Sequence, residues 1–268
     1  MSQTITVIFV GDVVGEPGRR AIRDLLPPLR QEHHADLCIV NGENAAGGTG
    51  ITPKIFEELR AAGADVITTG DHIWDNKEIL SILSTEPRLL RPANYPSRAA
   101  GHGCVVVESH SGTKIAVLNL MGRTFMKNVD CPFLVAEHEV AALRHQTPLI
   151  MIDMHAETTS EKIALGRFLD GQVSAVLGTH THVQTADEQI FPKGTAFLCD
   201  TGMTGPHESI LGREIAPVIE RFLTQMPQRF EVAKRGIRLH GVVVQIDTTT
   251  GCAFSIKRLS IPLPTNSP

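Results

Sequence analysis

Two histidines separated by one residue follow an apolar run in the second half of the chain. His180 and His182 come directly after VSAVLGT (173–179), a stretch typical of a buried β-strand. Imidazole nitrogens bind divalent metal ions, so the pair could hold such an ion. Because strand side chains alternate between faces, we expect both rings to point the same way. An isolated His-x-His pair is more often an ordinary pair of surface histidines, so the rest of the chain has to decide between the two interpretations.

Four other apolar runs also lead into residues that bind metal ions. These are Asp12 after 4–10, Glu43 and Asn44 after 35–41, Asp71 and His72 after 64–69, and His155 after 147–154. The carboxyl ends of parallel strands share one edge of a sheet, where α/β proteins bind ligands, so we expect the five sets to meet at one rim. Their donors exceed what one tetrahedral ion uses. The pattern therefore predicts two ions ~3.5–4 Å apart, bridged by a carboxylate and a hydroxide, as in enzymes that cleave phosphate esters.

Short β-branched runs alternate with helical patterns along most of the chain, which indicates βα units and a largely parallel sheet. Further strands are predicted at 195–200 and at 103–109 and 113–120, which form a hairpin through a short Ser-Gly turn. A long antiparallel hairpin is predicted at 237–247 and 252–260. Helices are predicted from Pro17 onward, at 52–63 and near 159–170, and the prolines of LLPPLRQEHH are expected to interrupt or kink the first one. The simplest architecture is one α/β domain spanning 1–268, with two sheets, helices outside and a loose tail at 260–268.

The composition excludes several classes of protein. A net charge of −4 gives no basic surface for nucleic acid, and 4% aromatic residues give no stacking platform for single strands. Five scattered cysteines without a Cys-x-x-Cys pair indicate a reducing compartment. We see no secretion signal before the first strand and no apolar run near the ~18 residues of a membrane span. We therefore expect a cytoplasmic protein with no membrane or nucleic-acid partner.

Six spaced stretches carry a family resemblance through nearly all of the chain. VGDVVG, NGENAAGGTGIT, TTGDHIWD, DMHAETTSEK, GTHTHVQTAD and DTGMTGP resemble the YmdB-type branch of the calcineurin-like metallophosphoesterases. The resemblance implies a four-layer αββα sandwich, a dinuclear metal centre and hydrolysis of 2′,3′- and 3′,5′-cyclic nucleotides, which are small-molecule phosphodiesters. It implies Fe or Mn as the ions, with Mg or Zn as alternatives, and it leaves a homo-oligomer open.

The resemblance also assigns the residues of one metal site. Asp12 and His182 would hold the first ion, with Asn44 at or near it. Glu43 would bridge this ion to the second one. A hydroxide bridging the ions would attack phosphorus.

The second ion would be held by Asp71, His155 and His180. His72, next to Asp71, is not a ligand in the family and would donate a proton to the leaving alkoxide, a step that typically contributes 10²–10⁴-fold. The substrate-binding residues stay unassigned, because loops of underived shape form the pocket. Asp153 and Glu157 are expected to orient His155 or another ligand rather than to bind metal.

Two positions depart from related sequences. The chain reads Asp12-Val-Val where most of the superfamily has Asp-x-His, and it has Asp71 where the YmdB-type branch usually has Asn. With Asp12, Glu43, Asp71 and a bridging hydroxide, the negative charge just cancels two divalent cations. We therefore expect tighter metal retention and a weaker pull on an anionic phosphate, or a preference for a trivalent ion at one site.

Alternative interpretations remain open. The same site would suit a phosphomonoesterase acting on small metabolites, or a protein that senses a nucleotide without turnover. A third alternative is an iron oxidoreductase, whose single-ion site needs only two histidines and one carboxylate. The Gly-rich loop 200–206 either shapes the substrate pocket or is a structural turn, and His207 lies close to it.

Overall fold

The computed structural model describes residues 4–109 and 111–264. The strands are β1 (Thr4–Val10), β2 (Asp12–Val13), β3 (Leu37–Asn41), β4 (Val66–Thr68), β5 (Cys104–Glu108), β6 (Lys114–Met121), β7 (Ile150–His155), β8 (Ala175–Thr179), β9 (Gln189–Ile190), β10 (Ala196–Leu198), β11 (Met203–Pro206), β12 (Ile237–Asp247) and β13 (Ala253–Pro262). The helices are α1 (Gly15–Glu32), α2 (Pro53–Ala61), α3 (Leu80–Leu83), α4 (Pro132–Arg144), α5 (Thr159–Phe168) and α6 (Ile215–Thr224), with a 3-10 turn at Lys77–Ile79 before α3. All the predicted strands are confirmed, whereas β2, β9, β11, α3, α4 and α6 were not predicted.

The strands form two sheets. The first has the order β2-β11-β12-β1-β3-β4, with β13 also paired to β12. Its β1, β3 and β4 are parallel, but β12 runs antiparallel to β1, β11 and β13, so this sheet is mixed rather than largely parallel. The second sheet has the order β5-β6-β7-β8-β10-β9, and its four inner strands are parallel. Both predicted hairpins, β5–β6 and β12–β13, are confirmed.

Three apolar clusters hold these elements together. One packs the first sheet against α1 and α2, and another packs the second sheet against α4 and α5. The remaining cluster contains side chains from both sheets, such as Val7 and Val244 with Val117 and Leu177, so the two sheets face each other. Burying one such side chain stabilises the fold by about 1.5–3 kcal/mol. The facing sheets therefore keep the ends of their strands in a fixed relation.

Helix α1 continues through the two prolines that were expected to interrupt or kink it. Pro27 and Pro28 lie inside the helix, which ends only at Glu32, so the predicted interruption is wrong. A proline leaves the carbonyl four residues earlier without its helical partner. Those carbonyls belong to Arg23 and Asp24, which are exposed to solvent, so water can bind them.

The carboxyl-terminal strand is longer than predicted. β13 pairs with β12 as far as Pro262, so residues 260–262 are part of a sheet rather than of a loose tail. Residues 265–268 of that predicted tail lie outside the described residues. Among the residues that the structure describes, no helix is both long enough and apolar enough to cross a membrane.

Candidate metal centre

The predicted metal ligands meet where the carboxyl ends of strands from both sheets come together. β1, β3 and β4 of the first sheet lead to Asp12, to Glu43 and Asn44, and to Asp71. In the second sheet β7 ends at His155, and β8 is followed by the two histidines of the His-x-His pair. The prediction of one rim on one sheet is therefore wrong, since the site lies between two sheets.

Four of the predicted residues form a compact group. Glu43, Asp71, His155 and His180 offer ligand atoms that all lie within 4.8 Å of one another. His155 Nε2 is central, 3.0 Å from Glu43 Oε1, 3.5 Å from Asp71 Oδ1 and 3.0 Å from His180 Nδ1. Asp71 Oδ1 is buried, and no described group hydrogen-bonds to it. Two carboxylates and two imidazoles with an unsatisfied buried oxygen are a donor set that fits a divalent metal ion.

A second group lies next to the first. His182 Nε2 is 3.8 Å from Asp12 Oδ1 and 3.2 Å from Asn44 Nδ2, and the same amide nitrogen is 3.3 Å from Glu43 Oε1. Asp12 Oδ1 is also buried without a hydrogen-bond partner among the described residues. A half-turn of the Asn44 amide would aim its oxygen at this space. Glu43 is thus within reach of both groups.

A hydrogen-bond chain fixes the Nδ1 side of the His155 ring. Asp153 is buried, and its Oδ1 accepts a hydrogen bond from Thr179 Oγ1 at 2.7 Å. Thr179 Oγ1 must therefore accept from His155 Nδ1, 2.8 Å away. With a proton on Nδ1, Nε2 is the ring atom that faces Glu43 and Asp71, and it offers a lone pair to a metal ion when the ring is neutral. Asp153 thus orients the ring through Thr179, an arrangement typical of metal-binding histidines.

The other two histidines have the same arrangement. Glu157 Oε2 lies 3.1 Å from His180 Nε2, which leaves Nδ1 of His180 facing the first group. The carbonyl oxygen of Leu211 lies 3.2 Å from His182 Nδ1, which leaves Nε2 facing Asp12. Each ring therefore has one nitrogen bound to an acceptor and the other directed at carboxylate oxygens.

The two histidines lie outside the strand that precedes them. β8 ends at Thr179, and φ is 98° at His180 and 65° at His182, in the left-handed region. Strand alternation therefore does not orient these rings, although both line the same cavity. Between them, Thr181 donates from its backbone N and its hydroxyl to Asp200 Oδ2, at 3.1 and 2.7 Å. This support holds a turn that would otherwise be strained.

Asp200 is itself held by a buried ion pair. Lys162 Nζ donates to Asp200 Oδ2 at 2.8 Å, and both side chains are almost completely buried. Asp200 Oδ1 accepts from the backbone N of Gly202. A buried ion pair is costly to break on one side, because the remaining charge loses its partner. Lys162 therefore belongs to the support of the histidine turn.

Burial and neighbouring charges shift the pKa values of the carboxylates and imidazoles in the centre. Burial is the largest influence on the Asp12 carboxyl and raises its pKa. Burial also raises the pKa of Glu43 and Asp71, but the nearby His155 outweighs it and both pKa values lie below their usual range. Burial lowers the pKa of His155, yet Glu43 and Asp71 raise it well above the usual value. Burial and His155 lower the pKa of His180 to about 4. The carboxylates thus stabilise positive charge in their midst.

The centre opens into a cavity of about 310 Å³. His72 lines it, and its Nδ1 lies 2.8 Å from Asp75 Oδ2, while its backbone N donates to Glu43 Oε2 at 3.3 Å. Arg213 lines it as well, and donates to the carbonyls of Gly47 and Gly48 at 3.3 and 2.6 Å. A cation and a histidine therefore face the same space as the carboxylates.

The Gly-rich loop 200–206 supports Asp12 through its backbone. Residues Met203–Pro206 form β11, which pairs with β2 so that Met203 lies opposite Asp12. A Cβ at Gly11 would lie 1.9 Å from the carbonyl oxygen of Gly202. The glycines therefore allow two backbones to approach closely. Of the two interpretations of this loop, the geometry favours the structural one.

Several supporting residues were not predicted from the sequence: Thr179, Lys162, Asp200, Leu211 and Arg213. Thr179 stands directly before the His-x-His pair and could have been identified by its position. Leu211 acts through its backbone carbonyl, which has no side-chain signal. Lys162 is an ordinary helix residue in the sequence, and only the burial of α5 distinguishes it.

Fold and site together define an α/β protein with two facing sheets and a buried carboxylate–histidine centre between their carboxyl ends. Residues 8–259 match the model of the YmdB-like protein family. The chain belongs to this family, as its motifs predicted.

Known proteins resemble this chain over nearly its whole length. A Bacillus subtilis (strain 168) protein named 2′,3′-cyclic-nucleotide 2′-phosphodiesterase is 49% identical over 255 residues, which cover 95% of this chain and 96% of that protein. The crystal structure of a hypothetical protein from Thermus thermophilus has a TM-score of 0.91 and 40% identity, covering 97% of this chain and all of the other. The crystal structure of a novel phosphatase from Mycoplasma pneumoniae has the same TM-score and 37% identity, covering 98% and 95%.

Proposed function

We propose that the protein is a metallophosphoesterase that hydrolyses 2′,3′-cyclic nucleotides, and also 3′,5′-cyclic nucleotides, at a centre of two metal ions. The observation that carries this proposal is the group of Glu43, Asp71, His155 and His180, whose ligand atoms lie within 4.8 Å of one another. The name of the Bacillus subtilis relative supports the substrate class. The apolar clusters between and outside the sheets support a four-layer αββα sandwich formed by one domain.

The division of the ligands follows the two groups of contacts. Asp12, Asn44 and His182 hold one ion, Asp71, His155 and His180 hold the other, and Glu43 serves both. Support comes from the buried oxygens of Asp12 and Asp71 that lack hydrogen-bond partners. Carboxylate, amide and imidazole donors suit Fe or Mn, with Mg or Zn as alternatives. Metal content of the purified protein tests both the number and the identity of the ions.

Two divalent ions bound here would supply a water-derived nucleophile near neutral pH and neutralise charge on the phosphoryl oxygens. His72 acts on the leaving group. Its Nδ1 is bound to Asp75, so Nε2 is left to face the cavity. The Asp75 carboxylate orients the ring, and Nε2 gives a proton to the departing ribose oxygen. Arg213 contributes positive charge to the same cavity, which suits an anionic substrate.

Turnover by the protein loaded with Mn²⁺ tests the reaction. We expect the protein to hydrolyse 2′,3′-cyclic AMP and, more slowly, 3′,5′-cyclic AMP. Cleavage of the bond to the 2′ oxygen would leave a nucleoside 3′-phosphate, which chromatography separates from the 2′ isomer. Hydrolysis of only the monoester p-nitrophenyl phosphate would favour a phosphomonoesterase. A protein that binds two ions but hydrolyses none of these esters would favour a nucleotide sensor.

The role of His72 is tested by the choice of leaving group. His72→Asn should lower kcat for 2′,3′-cyclic AMP by 10²–10⁴-fold, the range typical of a general acid. The loss should be much smaller for bis-p-nitrophenyl phosphate, because a nitrophenolate leaves without a proton. Metal content should not change. His138→Asn, on the exposed face of α4, serves as the matched control. An equal loss on both substrates would contradict a role in protonation.

A further inference from the structure

Residues 210–213 form a tight turn beside the cavity of the candidate metal centre. The backbone N of Ile210 donates to the carbonyl of Arg213, and the backbone N of Arg213 donates to the carbonyl of Ile210, both at 2.9 Å. φ is 50° at Leu211 and 90° at Gly212 between them. Positive φ at both central residues is typical of a type I′ turn, whose first central residue is usually Asn, Asp or Gly. A leucine there is strained, because its Cβ crowds the backbone in the left-handed region.

The backbone of the turn does not explain the leucine. Its carbonyl oxygen lies 3.2 Å from His182 Nδ1, but an asparagine or a glycine would offer the same carbonyl with less strain. The side chain of Leu211 is 49% exposed and lines the cavity of the centre. Strained backbone of this kind is concentrated at sites that bind ligands. The turn therefore holds an apolar side chain at the cavity where its backbone alone needs none.

Arg213 presents a flat cationic surface to the same cavity. A Cβ at Gly48 would lie 2.4, 2.6 and 2.7 Å from Nη1, Cζ and Nη2 of Arg213, so one face of the guanidinium plane covers Gly48. Hydrogen bonds to the carbonyls of Gly47 and Gly48 fix the plane there. Burial lowers the pKa of the guanidinium group, and no charge among the described residues raises it. The other face of the plane is left for a ligand in the cavity, which Arg213 lines.

We propose that Leu211 and Arg213 bind the base of the nucleotide substrate beside the metal ions. This inference rests on the proposed function and deepens it, because it assigns the residues that distinguish a nucleotide from another phosphodiester. A planar base packs its faces against aliphatic side chains and stacks on guanidinium planes. Val14, which contacts Gly212 and lines the cavity, extends the apolar wall. With a volume of about 310 Å³, the cavity suits a ligand as small as one nucleoside.

Two diesters that share the reacting ring but differ in the base test the proposal on the full chain loaded with Mn²⁺. These are 2′,3′-cyclic AMP and the 2,3-cyclic phosphate of methyl riboside, which has no base. The wild type should prefer the nucleotide in kcat/KM by about 100-fold, the upper range for stacking of one base.

Two variants should reduce this preference to about tenfold, chiefly through KM. Leu211→Asn removes the apolar side chain but suits the turn, so its melting temperature should equal or exceed that of the wild type. Arg213→Lys keeps the charge and removes the plane. Leu134→Asn, at an exposed position of α4, is the matched control and should keep the wild-type preference. An unchanged preference in Leu211→Asn would overturn the proposal, since the leucine would then serve only through its carbonyl.

Binding separates failure of this inference from failure of the proposed function. Calorimetry with adenosine 3′-phosphate and with ribose 3-phosphate needs no turnover. A wild type that hydrolyses neither diester but binds the nucleotide at least tenfold more tightly would contradict the proposed reaction and support the base site. Equal treatment of the compounds with and without a base, in both turnover and binding, would overturn the base site while leaving the phosphodiesterase intact.

Discussion

Two groups of histidines lie side by side in this molecule, but their surroundings differ. In the proposed metal centre, each of His155, His180 and His182 has one ring nitrogen bound to an acceptor and the other facing carboxylate oxygens. A neighbouring cavity of about 450 Å³, which also has His182 in its wall, contains His207 and His240 with ring centroids 4.3 Å apart. The two groups are thus separated by little more than one side chain.

The second pair has much less negative charge near it than the first group, since Asp200 is the carboxylate that acts on His240 and its effect is smaller than that of the nearby arginines. His207 Nε2 lies 3.2 Å from the carbonyl of Met203, and His240 Nε2 lies 3.0 Å from Ser260 Oγ. Burial, and then His207 and nearby arginines, lower the pKa of His240 to about 4. His207, which lies close to the site loop in the sequence, therefore serves packing. The carboxylates opposite the free nitrogens, and not the number of imidazoles, are the property that marks a metal site.

The strongest test of this difference removes one imidazole from each group. His180→Ala and His182→Ala should each lose one ion and about 10³-fold or more in turnover, because a bound ion contributes several kcal/mol to the reaction. His240→Ala should keep both ions. Metal analysis and turnover give the answer. Glycine in place of alanine at 180 and 182 controls for backbone strain at positive φ. Loss of both ions from either alanine variant would contradict the division of ligands.

Within the first group, Thr179→Val should weaken metal binding by about 10–100-fold, the usual cost of removing a partner that orients a metal-binding histidine. The valine can no longer accept from His155 Nδ1 or donate to Asp153. Thr195→Val, another buried threonine whose hydroxyl donates to the carbonyl of Val173, is the matched control. Titration with Mn²⁺ measures the affinity, and equal affinities for the two variants would show that the acceptor is dispensable.

Asp71→Asn removes one negative charge and changes little else in shape. We expect about tenfold weaker metal retention and stronger inhibition by inorganic phosphate, since a less negative centre attracts the anion more. Competition with a chelator and phosphate inhibition constants measure the two effects. Unchanged metal affinity and activity would contradict the predicted effect of the Asp71 charge.

His240, which lies outside the centre, should affect the free energy of unfolding rather than metal binding. The pKa of His240 falls from 6.5 in the unfolded chain to about 4 in the folded state. The unfolded chain therefore binds the proton first, so stability is fully present above pH 6.5 and is lost as pH falls towards 4. His240→Gln should reduce this acid loss by about 1 kcal/mol, after allowance for its partial exposure. Urea unfolding at pH 7.5 and 5 measures it, and exposed His138→Gln should leave the slope unchanged.

Much of the architecture could be predicted because the signals are local. Apolar runs ending in acidic or histidine residues identified the strands and the residues that the structure brings together. The association of two sheets at one site could not be predicted, because every parallel strand has a carboxyl end and the sequence does not say which sheet contains it. The metal-binding roles themselves stay predictions until ions are measured.

Other features escaped prediction for physical reasons. The left-handed backbone at His180 and His182 follows from the support that Asp200 gives to the turn, and Asp200 is distant in the sequence. Leu211 contributes a carbonyl group, which every residue has. Helix α6 is only ten residues long and has Pro217 in its first turn, so its helical signal in the sequence is short.

The buried Lys162 offers a way to observe the histidine turn without touching it. Its ammonium group is enclosed with Asp200 and is inaccessible to a reagent in solution. Acylation of this amine requires the segment to open, whereas exposed amines such as that of Lys127 react at once. The ratio of the two labelling rates, read by mass spectrometry, is therefore a measure of the free energy of local opening. The labelling of Lys162 thus reports how stable the turn that carries His180 and His182 is.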